Sequence, residues 1–215
     1  MEDIIEFFLK AGEVKRLKQR GLVLRGVHDP ARVGGHSFRE ALMGWVLAKG
    51  NGTGLDSARV IKLTLVRDLA SGYAGDPTPY EPLIWKNENI NVEEVFKKWI
   101  RLPKEEKEQF SKQKAEQQRN SLEQLCKHLP DAIANEMKNL WAEFENQSSK
   151  EARFVLQIHF LENFLQSLEY WEKDKKFPME SWWHQIKELI SEPLLVELME
   201  KLDDRFYSKA NHKNK

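Results

Sequence analysis

Three residues of this 215-residue chain have the types and settings of a metal-centred or acid–base site: His36, Asp68 and His159. Of the six histidines, four stand where an imidazole has little to act on. His28 precedes a turn, His128 ends a charged run, His184 follows a tryptophan pair and His212 lies in the C-terminal tail. His36 instead follows VGG at the opening of an apolar run, and His159 sits one residue off the apolar stripe of the longest helical stretch. Asp68 follows the apolar run LTLV. If the helices carrying them share one core, two imidazoles and a carboxylate converge, a ligand set that suits Zn(II) or Fe(II) with open positions. Arg67 opposes that chemistry, because a guanidinium stays protonated and cannot ligate a metal. Pointing inward, it makes the cavity an anion or polar-ligand site. An imidazole freed from metal then titrates near neutrality and can act as base or nucleophile.

Helices must position these groups, because helical periodicity dominates the chain. Ile4, Ile5, Phe8 and Leu9 share one face of residues 3–11. A helix opens near His36 and stops at Gly50; a second, capped by Asp56 or Ser57, carries Val60, Leu63, Leu65 and Val66 and ends near Gly72. The only β-like run is GLVLRGV, 21–27. Residues 72–90, with two glycines and three prolines, read as a structured loop in which Asp76 shapes a Gly-Asp turn. Residues 91–128 are charged and helical, and the alternating signs of 104–119 read as a solvated face. A helix over 131–146 with Pro130 in its first turn follows, then one over 150–174 capped by Ser149. The latter repeats apolar residues at Phe154, Ile158, Leu161, Leu165 and Leu168. Helices over 179–190 and 193–207 complete the chain. The seven tryptophans read as core or pocket wall. The expectation is one all-α domain of six to nine helices over residues 1–208, with a frayed basic tail at 209–215.

Composition narrows the function classes. Lys+Arg and Asp+Glu are equal at 34 each, so no global field favours nucleic acid or an acidic membrane. The single cysteine, Cys126, excludes an internal disulfide framework, and no apolar run approaches the ~20 residues of a membrane span. A cytoplasmic protein that binds no nucleic acid and no membrane is expected.

Three stretches also carry a resemblance. KRLKQRG…DPARVGGHSFREALMGWVLA, then ARVIKLTLVRDLASGYAGDPTPYE, then FVLQIHFLENFLQSLEYWE resemble, in order and spacing, the three motifs of HD-domain phosphohydrolases, in their 5′-deoxynucleotidase-like branch. The resemblance covers roughly residues 5–172 and implies an all-α fold around a divalent metal (Zn, Mn, Co or Fe) that activates water against a nucleotide phosphate. It implies that His36 is the first-motif histidine and Asp68 the aspartate of the HD pair, with Arg67 in place of the histidine. Ser71 stands where the catalytic glutamate belongs, His159 where the third-motif aspartate belongs, and Asp76 matches the Gly-Asp of the second motif. Arg20 matches an arginine near the nucleotide phosphate, and Leu22 takes the place of a common tryptophan. Dimerisation is common in that family, so the resemblance implies a homodimer; exposed aromatics are the only support from the residues themselves.

Scaffold positions match that pattern while chemistry positions differ, as directed alteration, natural or engineered, would leave them. Loss of a glutamate at 71 removes a proton-transfer group typically worth ~10²–10⁴ in rate. Three functions follow. One is a metal-dependent nucleotide phosphohydrolase using His36, Asp68 and His159, with Arg20 and Arg67 on substrate and its activity weakened or lost. A second is a catalytically silent fold that binds a nucleotide, another small molecule or a protein partner. The third is a remodelled cavity, with no cofactor, running a different reaction through His159, His36 or Arg67; Asp76 and Ser71 are further candidate catalytic positions.

Overall fold

The computed structural model describes residues 1–50, 52–78, 80, 95–96 and 101–208. The expectations for the remaining residues, among them the basic tail 209–215, Trp85 and Trp99, lie outside the described residues. The described chain is helical: α1 Glu2–Ala11, a 3₁₀ turn Gly12–Lys15, α2 Arg20–Leu24, α3 Val33–Gly50, α4 Ser57–Ala74, α5 Lys104–Cys126, α6 Asp131–Glu145, α7 Lys150–Lys173, α8 Glu180–Leu189, α9 Pro193–Asp203 and a closing π turn Asp204–Ser208. Among the described residues the only extended pairing is an isolated bridge between Lys18 and Arg32. No described helix is long and apolar enough to cross a membrane.

Local chemistry sets the helix ends. The Asp56 carboxylate accepts from the N–H groups of Ala58 (2.9 Å) and Arg59 (3.2 Å), and the Ser149 hydroxyl accepts from Ala152 N–H at 3.0 Å. Each satisfies donors that the first helical turn leaves open. Gly75, at φ 74, ends α4, a conformation that glycine adopts without a Cβ clash. The stretch 21–27 is a correction: instead of a β-like run, Arg20–Leu24 form the short helix α2, which buries Leu22 and Leu24. Its apolar residues serve a helix face as well as they would a strand, since so short a run carries no resolvable period. Pro130 is the residue capping α6 rather than part of its first turn.

Helices α3 and α4 pack side by side against α7, which crosses the centre of the molecule. The α3–α4 contact is close: a Cβ added at Gly44 would lie 2.7 Å from Val60 Cγ1. From α7 the core takes Phe154, Val155, Ile158, Leu161, Phe164 and Leu168. Phe164 holds the buried place expected for Leu165, which is half-buried. The outer face of α3 exposes Phe38, Leu42, Trp45 and Val46, so Trp45 belongs neither to the core nor to a pocket wall. This frame points the start of α3 and the inner faces of α4 and α7 at one another, and α5 closes the side beyond α4.

Candidate functional site

Where α3, α4 and α7 meet, the two imidazoles do converge. His36 on α3 and His159 on α7 meet edge-on, with ring centroids 5.0 Å apart and His36 Nε2 3.0 Å from His159 Nδ1. Glu40, one turn beyond His36 and fully buried, places Oε2 2.8 Å from His36 Nε2 and 3.4 Å from His159 Nδ1. On its other edge His36 Nδ1 is held by Glu162 of α7, which also accepts from Arg39 Nε at 2.8 Å. Arg39 continues to Glu169 at 2.6 Å and Gln166 at 3.1 Å. Burial alone would lower the His36 pKa; hydrogen bonds and charge from Glu162 and Glu40 outweigh it and raise it to about 10. In metal-free protein His36 is therefore an imidazolium clamped between two carboxylates.

Arg67 points inward. Its Nη1 donates to Glu40 Oε2 at 2.8 Å and to Asp68 Oδ1 at 2.7 Å, and its Nη2 donates to His159 Nδ1. Adjacent residues on a helix diverge, but the arginine stem is long enough to bring its head back to the carboxylate beside it. Burial would lower the guanidinium's pKa, yet the charges of Asp68 and Glu40 raise it instead. His159 is pushed the other way, to about 3, first by burial and then by the Arg67 charge. It is a neutral imidazole whose Nδ1 lone pair is already engaged. Burial raises Asp68 to about 6 against the pull of Arg67. Burial would raise Glu40 too, but Arg67 and the imidazoles bring it below the usual carboxylate range.

Among the described residues His36, Glu40 and His159 form a group able to hold a metal ion. Their donor atoms, 2.8, 3.0 and 3.4 Å apart, suit one ion: ligands ~2.1 Å from a centre stand about 3.0–3.4 Å from one another. Glu40, rather than the expected Asp68, completes this group. Glu40 Oε1 and Asp68 Oδ2 are buried with no hydrogen-bond partner among the described residues, so the carboxylates have capacity to spare. The misfit is Arg67. Its protonated head contacts two of the three donors and already brings the positive charge that an ion would supply. With Arg67 in this position the residues do not fit a divalent cation.

The cluster forms one wall of a cavity of about 740 Å³, within the range typical of small-molecule sites. Arg67, Asp68, Ser71, Asp76, His36 and His159 all line it. Ser71 is buried and its hydroxyl accepts from Gln118 Nε2 at 3.3 Å. The Asp76 carboxylate accepts from the Arg20 backbone N–H at 2.8 Å, so it holds α2 to the end of α4. The Arg20 side chain is not among the lining groups. The far end is built on Arg25, whose guanidinium lies 4.2 Å from the Phe96 ring and 4.4 Å from the Trp182 ring. Burial lowers its pKa to about 9.

Sequence reasoning missed several of these groups. Glu40 was readable, being four residues after His36 on one helical face. Glu162 serves His36 and Arg39 across the contact between α3 and α7. The clearest correction concerns 104–119. Lys107, Phe110, Ser111, Lys114, Ala115 and Gln118 line the cavity at helical spacing, so this run is a pocket wall rather than a wholly solvated face. Alternating charge hid it.

Known proteins bear on this arrangement. Residues 11–200 match the HD domain family model. The chain is 29% identical over 201 residues to the 5′-deoxynucleotidase HDDC2 of Mus musculus, covering 93% of this chain and 86% of that protein. It is 28% identical to the protein of that name from Dictyostelium discoideum, covering 94% of this chain and 98% of the relative. Among solved structures, a predicted metal-dependent phosphohydrolase from Magnetospirillum magnetotacticum superposes with a TM-score of 0.62 at 20% identity, covering 94% of this chain and 93% of that one. A conserved hypothetical protein from Pyrococcus furiosus does so at 0.63 and 21%, covering 92% and 97%. These likenesses show the fold, and the family match spans all the helices that build the cavity. With its imidazoles and carboxylates gathered between α3, α4 and α7, this chain belongs to the HD-domain family.

Proposed function

We propose that the chain is a mononucleotide-binding HD-domain protein in which the metal-dependent release of phosphate is weakened or lost. Its ligand class is the deoxynucleoside 5′-monophosphates, the class that the relatives' name implies. The observation that carries this reading is Arg67 bridging Glu40, Asp68 and His159 on the wall of a cavity large enough for a nucleotide. The guanidinium supports the cluster electrostatically, as a cation would, but it cannot bind and acidify water. Ser71 hydrogen-bonds to Gln118 and brings no carboxylate to move a proton. His159 does not replace that carboxylate, since its Nδ1 accepts from Arg67. The test is equilibrium binding of deoxynucleoside 5′-monophosphates to chelator-treated protein, paired with a phosphate-release assay in Zn, Mn, Co or Fe. Saturable binding without release is expected. Rapid release that disappears on His36→Ala would overturn the loss of activity, and absence of binding would overturn the ligand class.

A second reading is favoured by the unpartnered Glu40 Oε1 and the donor spacing: an ion on His36, Glu40 and His159, with Arg67 displaced toward the substrate. One divalent ion per chain in protein purified without added metal supports it. The proposal also includes a cytoplasmic location and a homodimer, the latter on the exposed stripe of Phe38, Leu42, Trp45 and Val46. Sedimentation showing only monomer at micromolar concentration counts against the dimer.

A further inference from the structure

Arg67 holds Glu40, Asp68 and His159 through its two Nη atoms, so a second cation would serve an anionic ligand beside it, and α5 supplies one. Lys114 lines the same cavity and makes no hydrogen bond or ion pair among the described residues. Gln118, one turn further along α5, reaches across to the Ser71 hydroxyl, and Ser71 lies one turn beyond Arg67 on α4. Two helical ladders therefore face each other, Arg67 and Ser71 against Lys114 and Gln118. Because Ser71 accepts from Gln118, its own proton remains available to donate. Ser111, two turns before Gln118 and three residues before Lys114, lines the cavity too. Burial pushes the Lys114 ammonium down from its ordinary pKa; Asp76, Glu145 and Asp68 pull it up, and Arg67 pushes it down again. A carboxylate at position 71 would put a negative charge on the wall that faces α5, whereas the serine puts a neutral hydroxyl there.

We propose that Lys114, with the hydroxyls of Ser71 and Ser111, forms an anion subsite that receives the phosphate group of a phosphomonoester. It rests on the mononucleotide reading only for the rest of the ligand; the anion chemistry stands on the cavity itself. The subsite would separate phosphate binding from the Arg67 cluster. Affinity would then survive where the metal does not, and the ligand would be held rather than cleaved. It also gives Ser71 a role as a hydrogen-bond donor to the anion, in place of proton transfer.

The experiment measures binding of inorganic phosphate, a deoxynucleoside 5′-monophosphate and the parent deoxynucleoside to the full chain in chelator, by calorimetry. The variants are Lys114→Gln, Lys114→Arg, Ser71→Glu and the exposed control Lys112→Gln. Loss of one charge-assisted contact should weaken phosphate and monophosphate about 10- to 100-fold in Lys114→Gln while leaving the deoxynucleoside unchanged. Lys114→Arg should retain most of the affinity. Ser71→Glu, which alters a different helix and neutralises the ammonium, should lose phosphate as Lys114→Gln does. If Lys114→Gln and Ser71→Glu both match Lys112→Gln within about twofold, against the scale above, the subsite is wrong even though the nucleotide still binds. If phosphate binds and depends on Lys114 but no nucleotide binds, the mononucleotide reading fails and the subsite stands. Binding of neither ligand to the unaltered chain overturns both.

Discussion

At the scale of single residues, the cavity is a balance of charges in which each group depends on its neighbours. His36 has a folded-state pKa of about 10 against an ordinary 6.5, because Glu162 and Glu40 outweigh its burial. A group raised in this way adds stability that is fully present below pH 6.5 and is lost as pH rises through 10. The slope reaches about 1.4 kcal/mol per pH unit while one proton is held by the folded state alone. His159 runs oppositely: lowered to about 3, it costs stability as pH falls from 6.5 toward 3. Metal-free protein should therefore show a thermal midpoint that declines between pH 6.5 and 10, and His36→Gln should flatten that alkaline limb. An unchanged limb in the variant would show that His36 is not the group titrating. The adjacent pair Arg67–Asp68 was legible, whereas Glu40 as the common partner of Arg67, His36 and His159 was not. Which atoms meet across α3 and α4 depends on side-chain reach that no spacing along one helix records.

At the scale of elements, helix existence followed from apolar period and capping chemistry, and the caps at Asp56 and Ser149 fell where the sequence puts them. The elements that resisted reading were those whose surroundings override local pattern. α2 is short enough to mimic a strand, and α5 carries a cavity face inside a run of alternating charge. The tightest junction is α3 on α4 at Gly44. Substitution with alanine gains helix propensity of up to ~1 kcal/mol. It also drives a Cβ into the stiff, fully buried Val60, at a packing cost of about 1–3 kcal/mol. Gly44→Ala should thus lower stability in chemical denaturation. The double variant Gly44→Ala with Val60→Ala should recover part of the overpacking cost while adding that of a lost side chain. A single variant more stable than the parent would show that the helices separate freely, and with them the alignment of His36 and Arg67.

At the scale of the whole molecule, family membership and the all-α fold were legible because three motifs keep their order and flanking residues. What the fold does with its cavity was not, since one scaffold can hold a metal, a guanidinium or a ligand between the same helices. Arg67 itself is plain in the sequence, but its consequence appears only once it is seen against Glu40 and His159. The central claim is that this guanidinium stands in for a divalent ion. The most direct measurement is the metal content of purified protein, unaltered and as Arg67→His. Binding is expected to be substoichiometric in the unaltered chain and to approach one ion per chain in Arg67→His, in which the obstructing cation becomes a nitrogen donor. One ion per chain in the unaltered protein, lost on Glu40→Ala or His36→Ala, would contradict it.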